Sequence, residues 1–251
     1  MNKVTIYQRD ALEFLNARLD RSVDVVVTDP PYWTLDKWRK MGTTTRLGGN
    51  RNVEDQRPEM FFETIDRDYL WNTFQEIDRI LKPDGHLYMF CDDQVAPTLL
   101  NWVRESADHG FEDAHMLIWD KVNQGMGYHY RRRYECIIFA YRGKRKLKDL
   151  GIPDILTFKR VVNSYPTEKP AELCQVLIAQ SLSSHQTLLD PFAGSGSVAA
   201  GCLDLNANIL LNDKFDAAIT HMRDRFATLP LEVTWNVPSS QDLAGVLPAS
   251  A

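Results

Sequence analysis

The chain has only four cysteines, Cys91, Cys136, Cys174 and Cys202, and they are widely scattered. Nothing resembles a zinc knuckle or a redox pair, so reduced thiols in a reducing compartment are expected. Six histidines also fall at no ligand spacing, and no metal is expected. No apolar run approaches the ~20 residues of a membrane span. The opening Met1–Asp10 lacks the apolar segment and cleavage site of a secretory leader. These absences predict a soluble cytoplasmic protein with no membrane partner. With 44 % apolar and 25 % charged residues, wholesale disorder and fibrous architecture are excluded, and 251 residues suit one sizeable α/β domain.

An excess of basic charge is missing too: the net charge is −5, which alone argues against a nucleic-acid partner. Its distribution argues the other way. Residues 131–148 carry eight Lys/Arg against one Glu, and residues 37–57 carry six against two acids. Two basic patches on an acidic body suit a protein that attracts polyphosphate at one surface. The plain alternative, solvated surface faces, is weakened by Trp38, Gly42, Gly48 and Gly49 among the charges of the second run.

Along the chain, Thr5–Tyr7 is a short apolar run, and Ala11–Leu15 has helical spacing with Asp10 at the junction. Residues 23–28 are nearly continuous and β-branched, the mark of a strand buried on both faces. That strand ends in Asp29-Pro30-Pro31-Tyr32, where prolines forbid further ladder bonds. Residues 33–67 read as a long polar loop. A helix is predicted from Asp68 to Leu81, ended by Lys82–Gly85, then a strand over His86–Cys91 and a helix over 95–107. Met116–Asp120 and Tyr134–Tyr141 read as paired strands, and 142–166 as a basic, weakly structured connector. A helix from Pro170 to Leu182, a strand over Thr187–Asp190, a helix over Ser197–Leu205, a strand over Asn208–Leu211 and a helix over Phe215–Phe226 follow. Alternation at Leu231, Val233, Trp235 and Val237 predicts an edge strand. Residues 1–237 are thus expected to form one domain, with 238–251 a frayed tail. Alternating β and α with buried strands means a doubly wound α/β sheet.

Two constellations carry chemistry. In Leu189-Asp190-Pro191-Phe192-Ala193-Gly194-Ser195-Gly196-Ser197, a strand passes through a Gly-x-Gly loop into a helix. Glycines let backbone approach a ligand, and the helix start offers free N–H groups. Asp213 follows Gly194 by 19 residues, near the spacing at which a carboxylate binds ribose hydroxyls. The second is Asp29–Tyr32 at a strand's carboxyl end. There a carboxylate and proline-fixed carbonyls can accept both hydrogens of an exocyclic amino group, and an aromatic ring can stack on an extruded base.

Asp29-Pro30-Pro31-Tyr32 together with Asp190–Gly196 resembles the DNA amino-methyltransferases, which use S-adenosylmethionine (SAM) to methylate exocyclic adenine or cytosine nitrogens. The motif order resembles their circularly permuted β class. Tyr165–Pro170, Arg79–Leu87 and Ile118–Lys121 through Tyr134-Glu135 fit it as well, so the likeness covers roughly residues 3–227. It implies a Rossmann-like, mostly parallel sheet of the seven-stranded type, SAM as cofactor, double-stranded DNA as partner and a place in restriction–modification. A homodimer is compatible with it. Asp29, Pro30, Pro31 and Tyr32 would then hold the target base. Asp10, Thr167, Lys169, Asp190, Pro191, Phe192, Gly194, Gly196 and Asp213 would bind SAM, with Asn212 competing for the ribose and Asp10 equally suited to capping a helix. Tyr165 stands where the family often has His, and the recognition segment, 142–166, is short. Trp33, Trp38, Arg46, Arg131, Arg132 and Arg133 would meet DNA, with loop 33–67 facing it.

An Asp-led tetrapeptide resembles the N6-adenine enzymes, with N4-cytosine the competing base. A nicotinamide oxidoreductase would use the Gly loop and Asp213 but leaves Asp29–Tyr32 unexplained. A pure DNA-binding module leaves the tetrapeptide without a use.

Overall fold

The computed structural model describes residues 1–34, 63–105, 110–125, 129–162, 164–165, 167–203 and 205–238. Trp38, Arg46, most of the 33–67 loop, the 37–57 basic run and nearly all of the tail lie outside the described residues.

The elements in chain order are β1 (Asn2–Tyr7), α1 (Ala11–Asn16), β2 (Val23–Thr28), α2 (Arg67–Ile80), β3 (Leu81–Cys91), α3 (Ala96–Glu105), β4 (Asp113–Asp120) and β5 (Tyr134–Tyr141). They continue with β6 (Ile155–Thr157), α4 (Ala171–Ser181), β7 (Thr187–Asp190), α5 (Ser197–Gly201), β8 (Asn208–Asn212), α6 (Asp216–Phe226) and β9 (Leu231–Asn236). The strands form one sheet in the order β6-β4-β5-β3-β2-β7-β8-β1-β9. Among the described residues, only β5 runs against its neighbours.

Burial on both faces explains the β-branched run of β2. Val25 and Val27 enter a core shared with Leu173, Ile178, Val198 and Phe226 of α4, α5 and α6. Val26 points the other way, into a core with Phe14, Leu70, Phe74 and Leu99 of α1, α2 and α3. Helices on both faces of a mostly parallel sheet make the architecture doubly wound. Asp10 caps α1 by accepting from the Leu12 N–H at 2.9 Å, and Asp66 caps α2 through the Tyr69 N–H at 2.7 Å. Phe74 of α2 packs on Trp71, Trp102 and Phe111 with centroids 5.7–5.8 Å away, a burial whose loss would cost about 3–5 kcal/mol.

Three readings of the sequence need correction. Strand β6 lies inside the stretch read as a weakly structured connector, pairing Ile155 with Ile118 and Thr157 with Asp120. Lys82–Gly85 does not separate a helix from a strand. Leu81 already pairs with Val23, and the next pairing is Val25 with His86, so the four residues form an irregularity within β3. Finally, α5 stops at Gly201, well short of Leu205.

At the middle of the sheet β2 pairs with β7, Val25 against Leu188 and Val26 against Leu189. From there the chain winds outward in opposite directions. Ligands bind at such a switch point, beyond the carboxyl ends of the strands.

Candidate active site

A cavity of about 370 Å³ opens where the turns after β2 and β7 meet. Asp29, Pro30, Pro31 and Tyr32 line one side, and Asp190, Pro191, Phe192 and Gly194 the other. Both constellations therefore face one space, of a size that accepts a cofactor-sized ligand.

On the β2 side, the Tyr32 N–H donates to the Pro30 carbonyl at 2.9 Å, which tightens the turn and occupies one lone pair of that carbonyl. The chain returns at residue 63, and the Ile65 N–H donates to the Pro31 carbonyl at 2.7 Å. Tyr32 is 7 % exposed, with burial and the neighbouring Glu135 and Asp29 carboxylates pushing its phenol up, so it presents a neutral ring. Burial also pushes the Asp29 carboxyl up, against the opposing pull of Lys169.

On the β7 side, Asp190 is buried and accepts from the Phe192 N–H at 3.1 Å. Burial raises its carboxyl to about 7, with the Thr28 hydroxyl and the Phe192 N–H pulling back. Asp213 accepts from the Gly194 N–H at 2.8 Å and the Phe215 N–H at 3.0 Å, so the carboxylate after β8 holds the glycine loop. Asn212, the competing residue, is tied to backbone on both sides. Its buried amide donates to the Arg9 and Pro191 carbonyls and accepts from the Arg9 N–H. Asp10 caps α1 and also lines the cavity, where it accepts from the Tyr69 hydroxyl at 2.8 Å. Thr167 lines the same space. Tyr165, in the usual place of His, lies over Gly194 and packs beside His221 with centroids 5.2 Å apart.

Gly196 departs from expectation. Its φ of +72° is left-handed, and an added Cβ would clash with Phe226 Cζ, so it seats the loop on α6 and lies away from the cavity lining. Lys169 departs too. Its ammonium bonds Asp29 Oδ2 and the Thr167 carbonyl, the latter at 3.2 Å, and stands 3.6 Å from Glu135 Oε2. Glu135 also pairs with Lys121 at 3.0 Å. Burial alone would lower the Lys169 ammonium and raise the Glu135 carboxyl, but the ion pairs overcome it in both cases. Glu135 and Tyr69 received no role from the sequence. An acid opening the otherwise apolar run Tyr134–Tyr141 was the available signal for Glu135.

The residues expected at DNA are more tied down than their charges suggest. Arg133 makes two bonds to Asp120 at 2.6 Å, Arg132 pairs with Asp93 at 2.8 Å, and Arg131 donates to Gln124. Trp33 is partly buried against the core of α1, α2 and α3. No group of three His, Cys, Asp or Glu converges as a metal site among the described residues. No described helix is long and apolar enough to cross a membrane.

Comparison with known proteins identifies the fold and the family. A type II methyltransferase of Haemophilus parahaemolyticus, M.HhaII, is 28 % identical over 197 residues, covering 76 % of this chain and 82 % of the relative. The fold is similar to that of M1.HpyAVI, solved as a SAM complex, with a TM-score of 0.63 at 20 % identity, covering 88 % and 99 % of the two chains. It is similar also to the cytosine-N4-specific PvuII DNA methyltransferase, with a TM-score of 0.67 at 15 % identity over 89 % and 86 %. The family model for N6/N4 methyltransferases, described as DNA methylase, matches residues 23–222, and the chain belongs to that DNA methylase family.

Proposed function

We propose that the chain is a DNA methyltransferase that uses SAM and acts on the N6 amino group of adenine. The observation that carries this reading is the shared cavity. The acceptor-type carboxylate Asp29 and the cofactor-type loop after β7 line it together. A transfer reaction needs its two reactants in contact, and such placement supplies much of the rate.

The residues present fit SAM. Asp190 offers a buried carboxylate for an amino group, Asp213 and Asp10 offer carboxylates for a nucleoside, and Gly194 admits close backbone approach. When bound, SAM supplies an electrophilic methyl group. The protein's part is to present the nucleophile. Tyr32 gives an extruded base a neutral stacking face. Asp29 accepts a hydrogen from the exocyclic nitrogen and turns its lone pair toward the donor, while the remaining lone pair of the Pro30 carbonyl accepts the second hydrogen. As positive charge develops on that nitrogen, the carboxylate stabilises it. No covalent link to the enzyme is required, and all four cysteines are buried thiols outside this scheme.

Adenine is favoured by the Asp-led tetrapeptide. The deciding assay incubates the protein with SAM and unmethylated genomic DNA, hydrolyses the DNA and weighs the nucleosides. N6-methyladenine is the expected product, and N4-methylcytosine would replace this reading. Asp29→Ala should keep SAM affinity and lose at least about a hundredfold in turnover. Wild-type turnover in that variant would remove the carboxylate from the mechanism.

A further inference from the structure

We infer that Lys169 is a positioning residue for the methyl acceptor, acting through Asp29 and held in place by Glu135, and that it is not a ligand of the cofactor. The inference rests on the methyl-transfer reading above and deepens it.

Three observations meet at this ammonium. First, its donors are already directed at protein oxygens. Lys169 Nζ bonds Asp29 Oδ2, donates to the Thr167 carbonyl at 3.2 Å, and has Glu135 Oε2 at 3.6 Å. Two of the three ammonium donors are thus used in hydrogen bonds, and the Glu135 carboxylate adds an ion pair on the same nitrogen. Second, the arrangement is built. The Lys169 side chain is 9 % exposed and lies over the Phe90 ring at 5.3 Å. Thr167 accepts a left-handed φ of 62° to present its carbonyl, a costly conformation for a β-branched residue. Third, the charges balance as a row of alternating sign, Asp29, Lys169, Glu135 and Lys121, with the last pair 3.0 Å apart.

The chemistry explains why such a row belongs on the acceptor side. Because protonation turns one of its two oxygens into a donor, Asp29 accepts a hydrogen from an amino group most strongly while ionised. Its surroundings oppose that state, because it is desolvated and faces the Glu135 and Asp190 carboxylates. Lys169 supplies the opposing charge and fixes one oxygen, leaving the other for the target nitrogen. Glu135 shares the ammonium, so that Lys169 does not cancel the acceptor strength of Asp29 altogether. The remaining charged group facing Asp29 is Lys121, while the thiols of Cys91 and Cys174 and the Tyr32 phenol are pushed up and stay neutral.

The two partners of Lys169 then have opposite effects, and this gives the test. Single-turnover methylation is followed against pH, and SAM affinity is measured by calorimetry, for the wild type, Lys169→Met, Lys169→Arg and Glu135→Gln. In Lys169→Met the SAM Kd should stay within about threefold, the neutral-pH rate should fall at least about tenfold, and the acidic limb should move up by about 1–3 pH units. Lys169→Arg should recover most of the rate. In Glu135→Gln the acidic limb should move down, because Asp29 loses a like charge and keeps its cation. If Lys169→Met does not fold, the Arg and Glu135→Gln variants carry the test alone. A SAM affinity that falls in step with the rate in the Lys169 variants, or limbs that move the same way at both positions, would overturn the inference while leaving methyl transfer intact. A wild type that yields no methylated base overturns both.

Discussion

Gly196→Ala separates a glycine that serves packing from one that serves the ligand. At Gly196 the backbone φ is +72°, and the new methyl would clash with Phe226 Cζ and stand 3.0 Å from Met222 Cγ on α6. Left-handed backbone costs a residue with a Cβ about 1–2 kcal/mol, and the forced repacking about 1–3 kcal/mol more. The sum is about 3 kcal/mol, which for a chain of this size lowers Tm by roughly 6–12 °C. Gly194→Ala meets a milder obstacle, a φ of +49° and the Tyr165 ring at 3.3 Å, but its methyl enters the cavity wall. We expect that variant to lose about 1 kcal/mol of stability and at least about tenfold in SAM affinity. Thermal melts and SAM titrations well below Tm on both proteins give the comparison. Should Gly196→Ala melt with the wild type, or lose SAM affinity while keeping its Tm, the assignment of that glycine to the α6 contact is wrong.

Two further outcomes follow from the electrostatics. Because burial raises Asp190 to about 7, a cationic amino group should bind its ionised form, and SAM affinity should fall toward tenfold per pH unit below about 7. Calorimetry across that range should show this slope in the wild type and none in Asp190→Asn. The same group works against the unliganded fold. Its folded form holds a proton that the unfolded chain has released, so unfolding free energy should drop as pH rises from about 4 to about 7 and level off above; a denaturant titration that shows stability rising through that window refutes the shift. DNA affinity should weaken steeply with salt, and Arg133→Ala should reduce the log–log slope by less than the ~1 expected of a full phosphate contact, because Asp120 already holds that guanidinium. A full unit lost would mean that Arg133 leaves Asp120 for DNA.

What the sequence made legible was local. The strand β2 was readable because a strand buried on both faces needs a nearly continuous apolar run, and Val23–Thr28 is one. Asp10 was readable as a cap because capping is a two-residue affair. The glycine loop was readable from strand, glycines and helix in succession. What stayed hidden depended on distant partners. Three residues, Ile155–Thr157, carry no periodicity, and they are a strand only because β4 offers an open edge. The helix after the glycine loop ends early for a tertiary reason as well. Gly201 lies where a Cβ would meet the Ala171 carbonyl at 2.6 Å, so α4 and α5 touch there and the chain turns away at Cys202. Lys169 was legible as a motif residue but not as the partner of Asp29, since nothing local says which side of a cavity a long side chain serves.

The basic run 131–148 shows why a charge count along the chain is a poor guide to a binding surface. Counted linearly, it is the most positive stretch of an acidic protein. Folded, it divides. Arg142 pairs with Asp78, Arg133 with Asp120 and Arg132 with Asp93, while Arg145 and Lys148 donate to the carbonyls of Asp24 and Leu182. Each pair cancels most of the field that a phosphate would feel beyond a few ångströms, because a dipole's potential falls faster than a charge's and salt screens the remainder within about 8–10 Å. These cations therefore anchor β5 and the segment after it to the sheet before they attract anything. That anchoring serves the reaction indirectly. Strand β5 carries Glu135, Glu135 holds Lys169, and Lys169 holds Asp29. A change at Arg133 or Arg142 should consequently register first in stability and in the acidic limb of turnover, and only afterwards in affinity for DNA.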